Sequence, residues 1–189
     1  MAMLAAVGDA ADRDAVEAEM ALYGGRLDDG LAAVERRLAA RPASWSAHLT
    51  AARLHRAAAA DADRRSDYAA ATGELGAARV AASAAVEIAR SSPDGWLELC
   101  RTAFQEAVAE QLTLYRGSSP AAAIARTACA SAAEVAPWST PAAALRAAVV
   151  LLELRRLPDL DAVDRLAREA VAELDGLLRG DADEVLIRG

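Results

Sequence analysis

The 189-residue chain contains no lysine and no asparagine, and aromatic residues make up only 4% of it, with Phe104 as the single phenylalanine. All 21 basic residues are therefore arginines. A Schiff base and a Walker-type phosphate loop both need a lysine amine, so this chain can form neither. Two large classes of enzyme are thereby excluded.

The chain also lacks excess positive charge, with a formal net charge of -7 and a pI near 4.9. Nucleic acids and anionic membrane surfaces attract basic proteins, so neither is an expected partner. The longest apolar run, Ala142–Leu152, is shorter than the roughly 18 to 20 residues of a membrane span and contains Arg146. The apolar segment Met1–Val7 is too short for a signal peptide and is followed by acidic residues. The sequence therefore predicts a cytoplasmic protein.

Cysteine and histidine are scarce, and their spacing does not suggest a metal site. Cys100 and Cys129 form no metal-ligand motif and no disulfide framework, so we expect two buried free thiols on adjacent helices that could face each other. His48 and His55 lie seven residues apart, or about 10 Å along a helix, which is too far to share one metal ion. The sequence therefore predicts no metal and no cofactor.

No catalytic arrangement rises above chance. Ser44, His48 and Asp61 contain the residue types of a hydrolase triad, but no nucleophile-elbow sequence surrounds the serine. Acidic clusters such as Asp28–Asp29 do not follow the order of a calcium loop and are typical of helix N-termini. We therefore expect a protein that is not an enzyme.

Alanine accounts for most of the 54% hydrophobic content, and with arginine, glycine and aspartate it is typical of a GC-rich bacterial genome. Alanine is the strongest helix former, whereas the β-branched residues are too scattered for strands. The sequence predicts an all-α protein with one domain over residues 1–180 and a tail over 181–189. Its eight helices, as four antiparallel hairpins, are predicted at Asp9–Tyr23, Asp28–Arg41, Trp45–Ala59, Tyr68–Arg90, Trp96–Tyr115, Ala121–Val135, Pro141–Arg155 and Leu160–Leu178.

Several boundaries have a specific signal. Ser44 is predicted to cap the third helix, Ser66 or Asp67 the fourth and Asp94 the fifth, and Pro120 suits the first position of the sixth. The charged segment Asp61–Asp67 is predicted to be the turn after the third helix. Gly73 and Gly76 interrupt the fourth helix and predict a kink or a close helix crossing.

The stretch Tyr23–Trp45 combines a glycine pair, an amphipathic helix and a proline followed by tryptophan, and looser forms of this ending recur at Pro93 and Pro137. With Gly25, Gly30, Val34 and Pro42 at the characteristic spacing, the first hairpin resembles a tetratricopeptide repeat. The prolines are 51 and 44 residues apart instead of 34, so the later repeats are degenerate. The resemblance implies a right-handed solenoid; a closed helical bundle is the alternative fold.

The resemblance also implies that the first helix of each hairpin lines a concave groove. Such a groove would be basic at one end and apolar at the other, and would suit a partner protein or peptide with an acidic part and hydrophobic anchors. The alternative is that the apolar members belong to the core. The predicted partner-binding residues are Leu49, Arg53, Arg56, Leu97, Phe104 and Val108.

Two other functions are compatible with the same sequence. A closed bundle would enclose an apolar small-molecule pocket, as in a ligand-sensing domain, lined by Trp45, Trp96, Phe104 and Trp138. Alternatively, an array with apolar terminal hairpins, including Val185–Ile187 in the tail, would pair into a homodimer, because such arrays need polar caps.

Overall fold

The computed structural model describes residues 10–113 and 119–154, together with individual residues between 161 and 179. These residues contain helices and no strand, so the all-α prediction is confirmed. Individual helical residues occur between 161 and 179. The seven complete helices are α1 (Ala10–Tyr23), α2 (Leu27–Ala40), α3 (Trp45–Arg64), α4 (Tyr68–Ile88), α5 (Pro93–Thr113), α6 (Pro120–Val135) and α7 (Thr140–Leu154).

Three helix starts carry the caps that their sequences favour. The Ser44 hydroxyl accepts a hydrogen bond from the Ala47 N–H at 3.4 Å, and the Asp67 carboxylate accepts one from Ala70 at 3.1 Å. Ser119 caps α6, with Pro120 in the first turn, where a missing N–H costs nothing. The predictions for Ser44, Asp67 and Pro120 are confirmed.

Two boundaries were predicted incorrectly. Helix α3 continues to Arg64 instead of ending near Ala59, because Ala59 and Ala62 are both buried and extend its packed face. The turn is thus confined to three residues, of which Ser66 adopts a positive φ of 60°. Helix α5 begins at Pro93, so Asp94 lies inside its first turn and does not cap it. The predicted break at 157–158, the ends of the eighth helix, Met1–Val7 and the tail 181–189 lie outside the described residues.

The helices pack as consecutive antiparallel pairs, α1 with α2, α3 with α4, and α5 with α6. Each pair also contacts the next one along the chain. Within the described ranges, every odd-numbered helix contacts the next odd-numbered helix, whereas α2, α4 and α6 do not touch one another. No described helix contacts one more than two places away in this order. The odd-numbered helices therefore share one side of the assembly.

The core is built from alanine and a few larger side chains. The central cluster joins α3 to α7 and contains Val86, Leu99 and Val149 among alanines, with Trp96 and Phe104 packed against its edge. A second cluster, around Val34 and Leu54, joins α1 to α3. Small side chains let helix axes approach closely, which explains how so few large residues fill the interior.

One glycine is required by this close packing. A Cβ added at Gly30 would lie 2.7 Å from the Leu54 Cδ2 atom and 3.2 Å from the Ala21 Cβ atom. Gly25, with a φ of 69°, forms the turn between α1 and α2. By contrast, Gly73 and Gly76 face open space, so the close helix crossing predicted there is wrong.

The expectation of free thiols is also wrong, because Cys100 of α5 and Cys129 of α6 form a disulfide. Their burial was predicted correctly, since both are fully buried. Ala103, Ala125 and Ala128 surround them in the same cluster and allow the two backbones to approach to a Cα–Cα distance of 4.9 Å. That distance is within the range that a disulfide spans.

We expect Gly30→Ala to be less stable than Gly73→Ala by about 1 to 3 kcal/mol. Both changes gain the same helix propensity, but only the first forces a methyl group into Leu54. Chemical denaturation of the two variants measures the difference directly. Equal stabilisation of both variants would show that the contact between α2 and α3 has room for the added methyl group.

We also expect the disulfide to raise the free energy of unfolding by about 3.5 kcal/mol, because it closes a loop with a sequence separation of 29 residues. Guanidinium denaturation with and without a thiol reductant measures this contribution. The variant Cys100→Ala/Cys129→Ala serves as a control whose unfolding curve should not respond to the reductant. Alkylation of two cysteines in denatured, unreduced protein would contradict the disulfide.

Candidate functional site

A buried carboxylate with three arginines around it lies where α3 meets α5. Glu98, in the second turn of α5, is only 1% exposed. Its Oε1 atom accepts a hydrogen bond of 2.6 Å from Nε of Arg56 on α3. Arg53 Nε and Arg101 Nη1 lie 4.0 Å and 3.8 Å from its Oε2 atom. We call these four side chains the Glu98 cluster.

The cluster has more positive than negative charge. Three guanidinium groups surround one carboxylate, so the group retains an excess of two positive charges in a chain that is acidic overall. The side chains of Arg53, Arg56 and Arg101 are 34%, 28% and 36% exposed, whereas Glu98 is buried beneath them. The positive charge therefore faces solvent, and the negative charge faces the protein.

The same side of α5 carries apolar residues in register with the arginine. Leu97, Arg101, Phe104 and Val108 follow one another at intervals of four, three and four residues, which places them on one helical face. All four are half-buried. Phe104 also packs against the central cluster and, with Val108, against a third cluster containing Ala107 and Leu152. On this face of α5, the guanidinium group of Arg101 therefore lies between partly exposed apolar side chains.

The structure places the six predicted groove residues in three different environments. Arg53 and Arg56 lie together in the Glu98 cluster, and Leu97, Phe104 and Val108 share the face of α5 just described. Leu49 of α3 is only 4% exposed and therefore offers no open surface to a partner. Sequence reasoning missed Glu98 and Arg101. Two features of the sequence could have indicated these residues. One is a charged residue inside the apolar run Trp96–Cys100, and the other is an arginine four residues after Leu97.

A second polar contact joins the neighbouring helices α4 and α5. Arg79 Nε lies 2.9 Å from an oxygen of Glu106, whose side chain is largely buried. Burial raises the pKa of the Glu106 carboxyl, and the hydrogen bond and charge of Arg79 oppose that shift. Arg79 thus donates a hydrogen bond to its carboxylate, whereas Arg53 and Arg101 are ion-paired with Glu98 without a hydrogen bond to it.

Three other oxygens along α5 are buried without a hydrogen-bond partner among the described residues: Oε2 of Glu98, Oγ1 of Thr102 and Oε1 of Gln105. They lie within a narrow arc of the helix, since their spacing is four and three residues. Buried polar atoms normally have a partner. The side of α5 that faces α3 and α4 is therefore more polar than the rest of its interior surface.

In the described part of the chain, two of the four side chains predicted to line the alternative small-molecule pocket are exposed. Trp138 is exposed in the turn after α6, and Trp45 lies at the surface at the start of α3. Trp96 donates its Nε1–H to the Arg90 carbonyl oxygen at 2.8 Å. Of the four residues predicted to line the pocket, only Trp96 borders an open, shallow hollow between α5 and α6. The other residues of this hollow are Leu99, Ala123, Ile124, Thr127 and Ala128.

The histidines and the triad residues have local partners instead of sharing a site. His48 Nε2 lies 3.0 Å from the Pro42 carbonyl oxygen, and His55 Nδ1 lies 2.8 Å from a carboxylate oxygen of Glu74. Asp61 pairs with Arg64 and Arg65, away from the Ser44 cap. In the part of the chain that the structure describes, no group of His, Cys, Asp and Glu could hold a metal ion, and no helix is long and apolar enough to cross a membrane.

Comparison with protein-family models, with curated proteins and with solved structures finds no match for this chain.

The burial of Glu98 makes Arg56 a stabilising residue. We expect Arg56→Met to lower the free energy of unfolding by about 2 to 4 kcal/mol, because it leaves a buried carboxylate without its hydrogen-bond donor. Arg56→Met/Glu98→Leu should recover most of that loss, since no buried charge remains. Denaturant unfolding measures both variants.

The control for this prediction is Arg26→Met, which breaks the exposed pair with Asp29. Its effect should stay below about 0.5 kcal/mol. A double variant as unstable as Arg56→Met alone would show that Glu98 contributes packing and not an unpaired charge.

Proposed function

We propose that this chain is a non-catalytic protein–protein interaction module, a tetratricopeptide-like array of helical hairpins that binds a partner protein or peptide along its odd-numbered helices. The observation that carries the proposal is the Glu98 cluster. Its half-exposed arginines lie on that side of the assembly, beside the partly exposed apolar residues of α5.

The order of helix contacts supports an array over a closed bundle. In a closed bundle the first helix would also contact a late one, whereas each described helix contacts only its nearest two neighbours in either direction along the chain. Contacts between successive odd-numbered helices, without contacts between even-numbered ones, are expected when hairpins stack with their first helices inside a curve.

The residues of the first hairpin that carry the family resemblance have matching structural roles. Gly25 forms the turn with a positive φ, Gly30 sits at a close helix contact, and Val34 is buried. Pro42 follows the end of α2. These roles are what a hairpin of that family would require of the same positions, and they support the resemblance.

Charge complementarity indicates the chemistry of the partner. An excess of arginine beside apolar surface suits a segment in which acidic and apolar residues alternate. The charges are partly desolvated, so their attraction for such a segment is stronger than that of fully exposed charges.

Two observations point to different cellular compartments for the module. The sequence predicts a cytoplasmic protein, but the Cys100–Cys129 bridge is of a kind that persists mainly in oxidising compartments. Cytoplasmic localisation therefore stays a prediction, and the redox state of the two cysteines in the native host would test it.

Self-association is the second candidate function. Trp138 and Leu151 are large apolar side chains exposed at the later end of the described array, and Val171 is exposed as well. A second copy would cover such residues. Sedimentation at a series of dilutions tests this candidate, with a mass that falls toward that of one chain as the expected outcome.

The interaction module is tested by selecting binders from a library of random peptides displayed on phage. We expect enrichment of peptides that combine acidic and apolar residues, with an affinity that falls as salt is raised. Arg53→Glu should weaken the binding of a selected peptide about tenfold or more. The matched control is Arg90→Glu, an equal change of charge at an exposed position in the turn between α4 and α5. Enrichment of no peptide over an unfolded control would contradict the proposed function.

A further inference from the structure

The three arginines of the Glu98 cluster differ in how they are used. Arg56 donates a hydrogen bond of 2.6 Å to Glu98 Oε1. Arg53 and Arg101 approach the other oxygen only to 4.0 Å and 3.8 Å, beyond hydrogen-bond distance, and Oε2 accepts no hydrogen bond from any described residue. Neither of these two guanidinium groups donates a hydrogen bond to another residue in the described part of the chain.

We propose that Arg53 and Arg101 form a two-guanidinium site for one carboxylate of an acidic side chain in the partner, and that Arg56 positions this site without binding the partner. This assignment rests on the proposed function and names the partner chemistry and the residues that determine specificity.

The geometry favours this division of roles. Arg53 on α3 and Arg101 on α5 approach the same atom from neighbouring helices, so both guanidinium groups have a nitrogen within 4.0 Å of one oxygen at the α3–α5 contact. Each guanidinium presents five N–H donors, and the planar fork matches a carboxylate in two-point contact. The attraction of Glu98 holds both groups in place without occupying their donors, which lowers the conformational entropy that binding must remove.

The position of Arg101 adds a sequence requirement. Leu97 precedes it by one turn of α5, and Phe104 follows by one turn, so the carboxylate site lies between two partly exposed apolar side chains. A partner that fills this face needs an acidic residue with apolar residues on both sides. This requirement distinguishes the site from a diffuse basic surface, which would bind any acidic chain.

The experiment compares peptide selections on four variants: wild type, Arg53→Met/Arg101→Met, Arg90→Met, and Arg56→Met/Glu98→Leu. The probe is the phage-displayed random peptide library, and the readout is the acidic content of the enriched peptides together with the affinity of one selected peptide. Circular dichroism and denaturant unfolding establish that each variant is folded.

We expect wild type and Arg90→Met to enrich peptides with one acidic residue between apolar residues. Arg53→Met/Arg101→Met should lose that enrichment while retaining an apolar preference, and should bind the selected peptide at least tenfold more weakly. Arg56→Met/Glu98→Leu should still enrich acidic peptides, because both ligand-facing arginines are present, but should bind the selected peptide more weakly than wild type, because Glu98 no longer holds the two guanidinium groups in place. Changing the acidic residue of the peptide to its amide should cost about tenfold in wild type and much less in Arg53→Met/Arg101→Met.

Two outcomes would overturn the assignment alone. Acidic enrichment that persists in Arg53→Met/Arg101→Met would place the carboxylate elsewhere, and an affinity of Arg56→Met/Glu98→Leu for the selected peptide equal to that of wild type would show that Arg56 and Glu98 do not position this site. In both cases peptides still bind, and the interaction module stands. If millimolar inorganic phosphate displaces the peptide from wild type but acetate at equal ionic strength does not, the site recognises phosphate and not a carboxylate. Failure of all four proteins to enrich any peptide would instead remove the proposed function.

Discussion

Close approach of alanine-rich helices is the constraint on which the rest of the structure depends. The buried residues are mostly alanine, and each one removes little apolar area from water, so stability requires many short contacts instead of a few large ones. An extra atom at such a contact forces a neighbour to shift, as at Gly30, where an added Cβ would lie 2.7 Å from Leu54 Cδ2. The disulfide follows from the same constraint, because only small neighbours let α5 and α6 come near enough to be bridged.

A thin apolar core also explains why charge is used inside this fold. Where α3 meets α5, arginines cover a buried glutamate, and where α4 meets α5, Arg79 pairs with Glu106. Long arginine side chains cover the small residues around them with their methylene groups while their charged ends reach water. The positive surface on the odd-numbered helices is thus a by-product of how the helices are held together. The partner-binding role that we propose makes use of it.

Much of this could be predicted from the sequence, and the limits have physical causes. Alanine content and the prolines at 42, 93 and 137 predicted the helices, and the caps at Ser44 and Asp67 predicted where two of them begin. The extension of α3 to Arg64 was missed because burial by tertiary packing overrode a charged segment. The disulfide was missed because two cysteines give no signal of the separation between two helices. Glu98 was missed because one polar residue in an apolar run has no periodicity of its own.

The position of the disulfide within one hairpin has a consequence for how the assembly comes apart. Because the covalent link joins α5 to α6, these helices remain one unit when weaker contacts between hairpins open. The Glu98 cluster lies at one such contact, where the α3–α4 hairpin meets the α5–α6 hairpin. Separation would leave the carboxylate and Arg101 on one side and Arg53 and Arg56 on the other. The charged surface therefore exists only while these two hairpins stay docked, and a ligand that binds residues of both would stabilise their docking.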